Sequence, residues 1–155
     1  MANKNRFGQD KHRPEGKWVQ ATSMQKVEGV HHRKEQAKAF ADAVRKAERK
    51  GLQCGLQLEH QPNNPHDRNA IAVFGVSEKK GIFSRGVGEW HIGYLDRELA
   101  RELVDDFISK DIPIAAELHS IYESDSGFLD FNFVALAPPG HSESARRKRK
   151  NIAQP

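Results

Sequence analysis

Apolar residues recur along this chain with two different periods, and the switches between them mark out its elements. Between Lys34 and Lys50 the apolar positions Ala37, Phe40, Ala41, Val44 and Ala47 fall at helical spacing, and Gly51 stands where a left-handed residue would cap the helix. Leu52, Cys54, Leu56 and Leu58 alternate with Gln53, Gly55, Gln57 and Glu59, the period of a half-buried strand. Residues 70–76 are rich in β-branched and apolar types and predict the next strand. Ser77 to Gly88 holds three glycines and several charges and reads as a loop. Trp90 to Leu95 predicts a short strand, after which Asp96 is an N-cap for a second helix reaching Ser109. That helix carries Leu99, Ala100, Leu103, Val104, Phe107 and Ile108 along one stripe. Two more strands, 112–122 and 128–136, meet at the turn Glu123-Ser124-Asp125-Ser126-Gly127, and Pro138-Pro139-Gly140 closes the body. Upstream, Trp18 to Val30 reads as the first strand.

The order is β-α-β-β-β-α-β-β, mainly β with two helices, an α+β chain. Short strands separated by turn signals predict a small six-stranded barrel, closed or partly open. Phe74, Phe131 and Phe133 are assigned to its core.

Charge divides the chain into three parts. Residues 1–17 carry Lys4, Arg6, Lys11, Arg13 and Lys17 against Asp10 and Glu15, a net of +3. Residues 143–155 carry Arg146, Arg147, Lys148, Arg149 and Lys150 against Glu143, a net of +4, so within a chain of +4 the body is −3. Both ends, 1–17 and 141–155, are expected as disordered basic tails around a domain at 18–140. Basic tails point to nucleic acid, with a solvated solubility tail as the bland alternative. A mildly acidic body requires any nucleic-acid site on the fold to be local. One cysteine, Cys54, rules out an internal disulfide and fits a reducing compartment. No apolar run approaches bilayer length, so the expectation is a cytoplasmic, nucleoid-associated protein without a membrane partner.

The densest signal is Pro62-Asn63-Asn64-Pro65-His66-Asp67-Arg68-Asn69-Ala70-Ile71 between two apolar segments. Two prolines fix φ at two points, and asparagine and aspartate bond their own backbone in Asx-turns. A hairpin needs only Asn-Gly or Asp-Gly to reverse. This stiffer connection holds polar side chains outward, as binding loops do.

That turn, followed by Ile92-Gly93-Tyr94-Leu95 and Glu98-Leu99-Ala100, resembles the HIRAN domain over about Val27 to Leu136. The module is best known at the N-terminus of SNF2-type DNA-repair helicases and also occurs alone in bacterial proteins, the form expected here. The resemblance implies an OB-like barrel with two helices. It also implies binding of single-stranded DNA, notably capture of a free 3′-hydroxyl end in a small pocket. Carried onto this sequence, the pocket would use His31, His32 and Arg33, then Asn64, His66 and Asp67, then Tyr94 and Arg97, with Phe128 as the aromatic of the last hairpin. His31, His32, Arg33 and His66 stand where those family members have a basic residue or tyrosines. Imidazole and guanidinium planes also stack on bases.

Asp67 has two readings, an acceptor for a terminal hydroxyl or an Asx-turn carboxylate, and its two oxygens allow both. Arg97, in the first turn of a helix where the macrodipole disfavours a cation, fits a phosphate contact. Arg146, Arg147, Lys148, Arg149 and Lys150 would add sequence-independent affinity for phosphates. The expected partners are single-stranded DNA or DNA ends, with a repair or helicase protein as a further candidate. No catalytic residue, metal or cofactor is expected. Two rivals remain: a small metal-dependent nuclease using Asp67 with nearby histidines, and a protein-interaction adaptor working through Ser77–Gly88.

Overall fold

The amphipathic stripe of residues 34–50 folds as read. In the computed structural model, which describes residues 6–8, 10–80 and 85–153, helix α1 spans Lys34–Lys50 and buries Ala37, Phe40, Ala41, Val44 and Ala47. Gly51 closes it with φ 67°, the left-handed geometry that glycine adopts without Cβ strain. Three two-residue strands precede α1: β1 (Arg6–Phe7), β2 (Val19–Gln20) and β3 (Gln25–Lys26). After α1 come β4 (Cys54–His60), β5 (Ile71–Lys80) and β6 (Arg85–Tyr94), then helix α2 (Arg97–Asp106). Strands β7 (Ala115–Glu123) and β8 (Leu129–Ala137) follow, and helix α3 (Glu143–Ala153) comes last. No helix among the described residues is long and apolar enough to cross a membrane.

The strands make two antiparallel sheets and not the barrel that was expected. One sheet runs β4-β5-β6; the other runs β1-β7-β8-β2, with β3 also on β8. A physical reason lies at the edge of β7. Arg6 and Phe7 pair with Tyr122 and Ile121, and His12 bridges Leu118, so the N-terminal segment occupies the edge that β4 would need for closure. A Cβ built on Gly55 of β4 would lie 3.7 Å from the His12 carbonyl, so this segment also packs against β4. Arg13 pairs with the buried Glu117, and His12 Nε2 lies 2.8 Å from Glu48 Oε1. The described residues between Arg6 and Arg13 are therefore tied to the body, where an unstructured tail was expected.

At the opposite corner the sheets touch through one bridge. Glu28 and Tyr94 exchange backbone hydrogen bonds of 2.8 and 3.0 Å. Gly93 is what permits it, because a Cβ there would overlap the Glu28 carbonyl. The core lies between the sheets and α1. The Phe40 ring stacks on Phe131 at 5.7 Å and leans on Trp90 at 6.0 Å, seated over Gly75 where any side chain would collide with it.

Four further expectations change. The first strand is broken into β2 and β3, and Val30–His32 is a 3-10 turn. Ser77–Lys80 and Arg85–Gly88 are not loop but the ladder of a long β5–β6 hairpin, whose remaining residues, 81–84, lie outside the described residues. The second helix stops at Asp106, and Ile108–Lys110 continues as a 3-10 turn. Pro138-Pro139-Gly140 ends β8 but not the fold, because residues 143–153 form α3, packed back onto α2.

Candidate nucleic-acid interface

The proline-asparagine turn joins β4 to β5 and organises itself. Asn64 Oδ1 accepts from the backbone N–H of His66 (2.9 Å) and of Asp67 (3.2 Å). Asp67 Oδ1 in turn accepts from the Asn69 N–H at 2.9 Å. Asn64 Nδ2 donates to Gln61 Oε1 at 3.1 Å, and the Tyr94 hydroxyl donates to the same oxygen at 3.1 Å. Gln61 is thus the joint between the turn and the end of β6. Sequence reading passed over it because a polar residue at a strand end carries no periodic signal.

Asp67 divides its oxygens as its two readings allowed. Oδ1 holds the turn, while Oδ2 faces Arg97 Nε at 3.8 Å. Arg97 lies in the first turn of α2, which starts there because Asp96 caps it by accepting from the N–H of Glu98 and Leu99. On the other flank, the Glu28–Tyr94 bridge delivers the 3-10 turn and then Arg33, whose guanidinium lies 5.8 Å from the Tyr94 ring centre. Arg33, Asn64, Asp67, Tyr94 and Arg97, remote in sequence, are brought to one place by the 3-10 turn, the β4–β5 turn, the end of β6 and the start of α2.

The other expected residues fall less centrally. His66 is exposed at the tip of the turn. His31 and His32 are exposed, their rings 3.9 Å apart, on the 3-10 turn before Arg33. Phe128 is half exposed and lines a separate small hollow with Val30, His31 and Lys34. The C-terminal cations are largely occupied. Arg146 is buried, donates to Glu102 (2.9 Å), Asp106 (2.8 Å) and the Ala21 carbonyl, and so is a structural clasp instead of a phosphate contact. Arg147 pairs with Glu143 and Lys150 with Asp106, whereas Arg149 reaches only the Gly140 carbonyl and His141. Lys148 is exposed.

Two residues beside this cluster were also missed. His91 packs edge-on against Tyr94 at 5.0 Å, and Phe74, assigned to the core, stacks on His91 at 4.8 Å. Burial, together with the nearby Arg33 charge, holds the His91 imidazole below its ordinary pKa, so it is neutral at physiological pH. Burial pushes the Cys54 thiol up to about 12, which leaves it an inert packing group. Among the described residues no three histidine, cysteine, aspartate or glutamate side chains come together in a metal-holding group.

No curated protein and no solved structure matches this chain. The family model of the HIRAN domain matches residues 29–126, more than half of the 155 residues, and spans the turn, β6, α2 and Arg33. The chain therefore belongs to the HIRAN domain family, a family of DNA-binding modules.

Proposed function

We propose that this protein is a non-enzymatic module that holds single-stranded DNA by a free 3′ end, in the repair or processing of stalled or broken DNA. The observation that carries this reading is the division of labour within Asp67. One oxygen is consumed by the Asn69 N–H, while the other faces the exposed Arg97, a cation that it does not firmly bind. A terminal hydroxyl donates to this second oxygen, and a charge-assisted bond of that kind is worth about 1.5–3 kcal/mol. A phosphate in the same place, or a strand continuing through, meets a like charge and is rejected. Arg97 and Arg33 take the adjacent phosphate, and Tyr94, fixed by Gln61, offers its ring to the last base. His32 and His66 form the rim. The reading places the protein in the cytoplasm at the nucleoid, with a repair or helicase protein as its protein partner.

The experiment is a binding titration of linear single strands with free 3′ ends, circular single strands and blunt duplex at physiological salt. Linear strands should bind most tightly, and circles should retain only a weak, salt-sensitive component. Circles binding as well as linear strands would remove end capture. Absence of binding to all three would favour the adaptor reading.

A further inference from the structure

The face of the β4-β5-β6 sheet that turns away from α1 carries a row of three rings. Register defines the faces. Gly75 and Trp90 are paired and point to Phe40 and α1, so their neighbours Phe74 and His91, also paired, point outward. Tyr94 would ordinarily point the other way from His91, since three positions separate them in a strand. A β-bulge between Val73 and Phe74 absorbs Ile92 and returns Tyr94 to the outward face, where it pairs with Ala72. Phe74, His91 and Tyr94 then touch in sequence at 4.8 and 5.0 Å, and Arg33 caps the row. His91 Nε2 lies 2.9 Å from the Gly93 carbonyl, which fixes the plane of its ring.

Packing does not account for this row. Phe74 is only partly buried and lies outside the hydrophobic core, although an aromatic of its size is ordinarily buried within it. The row begins at the proposed end pocket and leads away from it along β6. The exposed carboxylates Glu59 and Glu89 flank it, opposite Ala72 and Val76, so the face repels phosphates and accepts only the apolar side of a nucleotide chain. We infer that this face is a base-stacking platform for the nucleotides preceding the captured end, with Phe74 and His91 as its stacking residues and the phosphates turned outward. The inference rests on the single-strand reading above, but it does not need the 3′-hydroxyl preference.

The test uses the full chain with oligothymidylates in which the third and fourth nucleotides from the 3′ end are intact or abasic. Stacking on an aromatic ring makes the abasic strand about tenfold weaker for the wild type. Phe74→Leu, which keeps apolar volume but removes the aromatic face, should narrow that gap, and Phe74→Leu with His91→Ala should close it. Phe74→Tyr should restore it, which separates stacking from any folding defect. The 3′-hydroxyl to 3′-phosphate affinity ratio, measured on the same variants, reads the end pocket alone and should stay unchanged. A wild type indifferent to the abasic sites overturns the platform, as does a Phe74→Leu variant that keeps the full gap. A ratio of one with the gap intact overturns end capture and leaves the platform standing.

Discussion

Arg97 stands over Asp67 without closing on it, the Nε to Oδ2 separation being 3.8 Å. That is beyond hydrogen-bond length, and the arginine side chain is 83% exposed. An exposed pair of this geometry adds little to stability. The cation is held near the carboxylate without being committed to it, and in the proposed reading the two side chains take opposite parts of one strand end: the hydroxyl on Asp67 and the preceding phosphate on Arg97.

Arg97→Ala should therefore weaken single-strand binding about tenfold or more, since hydrogen bonds to charged groups are worth about 1.5–3 kcal/mol. Its unfolding free energy should stay within about 0.5 kcal/mol of wild type. Anisotropy titration and urea melts check the two halves. A variant that melts early but binds normally would make Arg97 a structural residue.

Gly93→Ala is expected to act in the opposite order. The new Cβ would press on the Glu28 backbone, which cannot rotate away as a side-chain end could. Overpacking of this kind costs about 1–3 kcal/mol. The displaced Glu28 segment would carry Arg33 off Tyr94, so stability and affinity should fall together, as thermal melts and titration would show.

Acid should loosen the fold at two carboxylates. Burial pushes the Asp106 carboxyl up, but hydrogen bonds and charge from Lys150 and Arg146 more than offset it, leaving a pKa below the ordinary value. Glu123 behaves alike, with burial outweighed by Arg45 and Lys38. A depressed folded-state pKa contributes stability that is present above the unfolded value and is lost as pH falls through the folded one. Urea midpoints should decline below about pH 4, more shallowly in Asp106→Asn. Arg146→Ala should release α3 from α2 and lower stability by about 1–3 kcal/mol at neutral pH, leaving Asp106 half-paired.

Removing residues 141–155 should weaken binding about equally for every DNA sequence, but only modestly. Arg146 is buried, so Arg147, Lys148, Arg149 and Lys150 are the cations left to consider. Single strands release about 0.7 counterion per neutralised phosphate, so the log–log salt slope should flatten by roughly 3 units or less. An unchanged slope would make α3 a wholly structural element.

What the sequence made legible was local. The stripe and cap of α1, the Asp96 cap of α2 and the self-bonded turn around Asn64 depend on residues within a few positions of one another, and periodicity and turn chemistry report them. What it hid was pairing across distance. Arg146 reads as one cation in a basic run until Glu102 and Asp106 are brought beneath it from α2. Gly86 and Gly88 suggest a loop, yet the β5–β6 ladder runs through both. Phe74 looks like core because alternation gives the two faces of a strand but not which one α1 covers. The barrel failed for a similar reason, since nothing local in residues 6–12 shows that they take the edge of β7.

In the proposed reading, the second oxygen of Asp67 distinguishes a hydroxyl from a phosphate. The direct measurement is the affinity of wild type and Asp67→Asn for one single strand ending in a 3′-hydroxyl or a 3′-phosphate, at physiological salt. Wild type should prefer the hydroxyl end by about tenfold or more, from a charge-assisted bond gained and a like-charge contact avoided. Asp67→Asn should shrink that preference while keeping most of the salt-dependent binding. Equal wild-type affinity for the two ends would contradict the account, and the domain would then be a general single-strand or partner-binding fold.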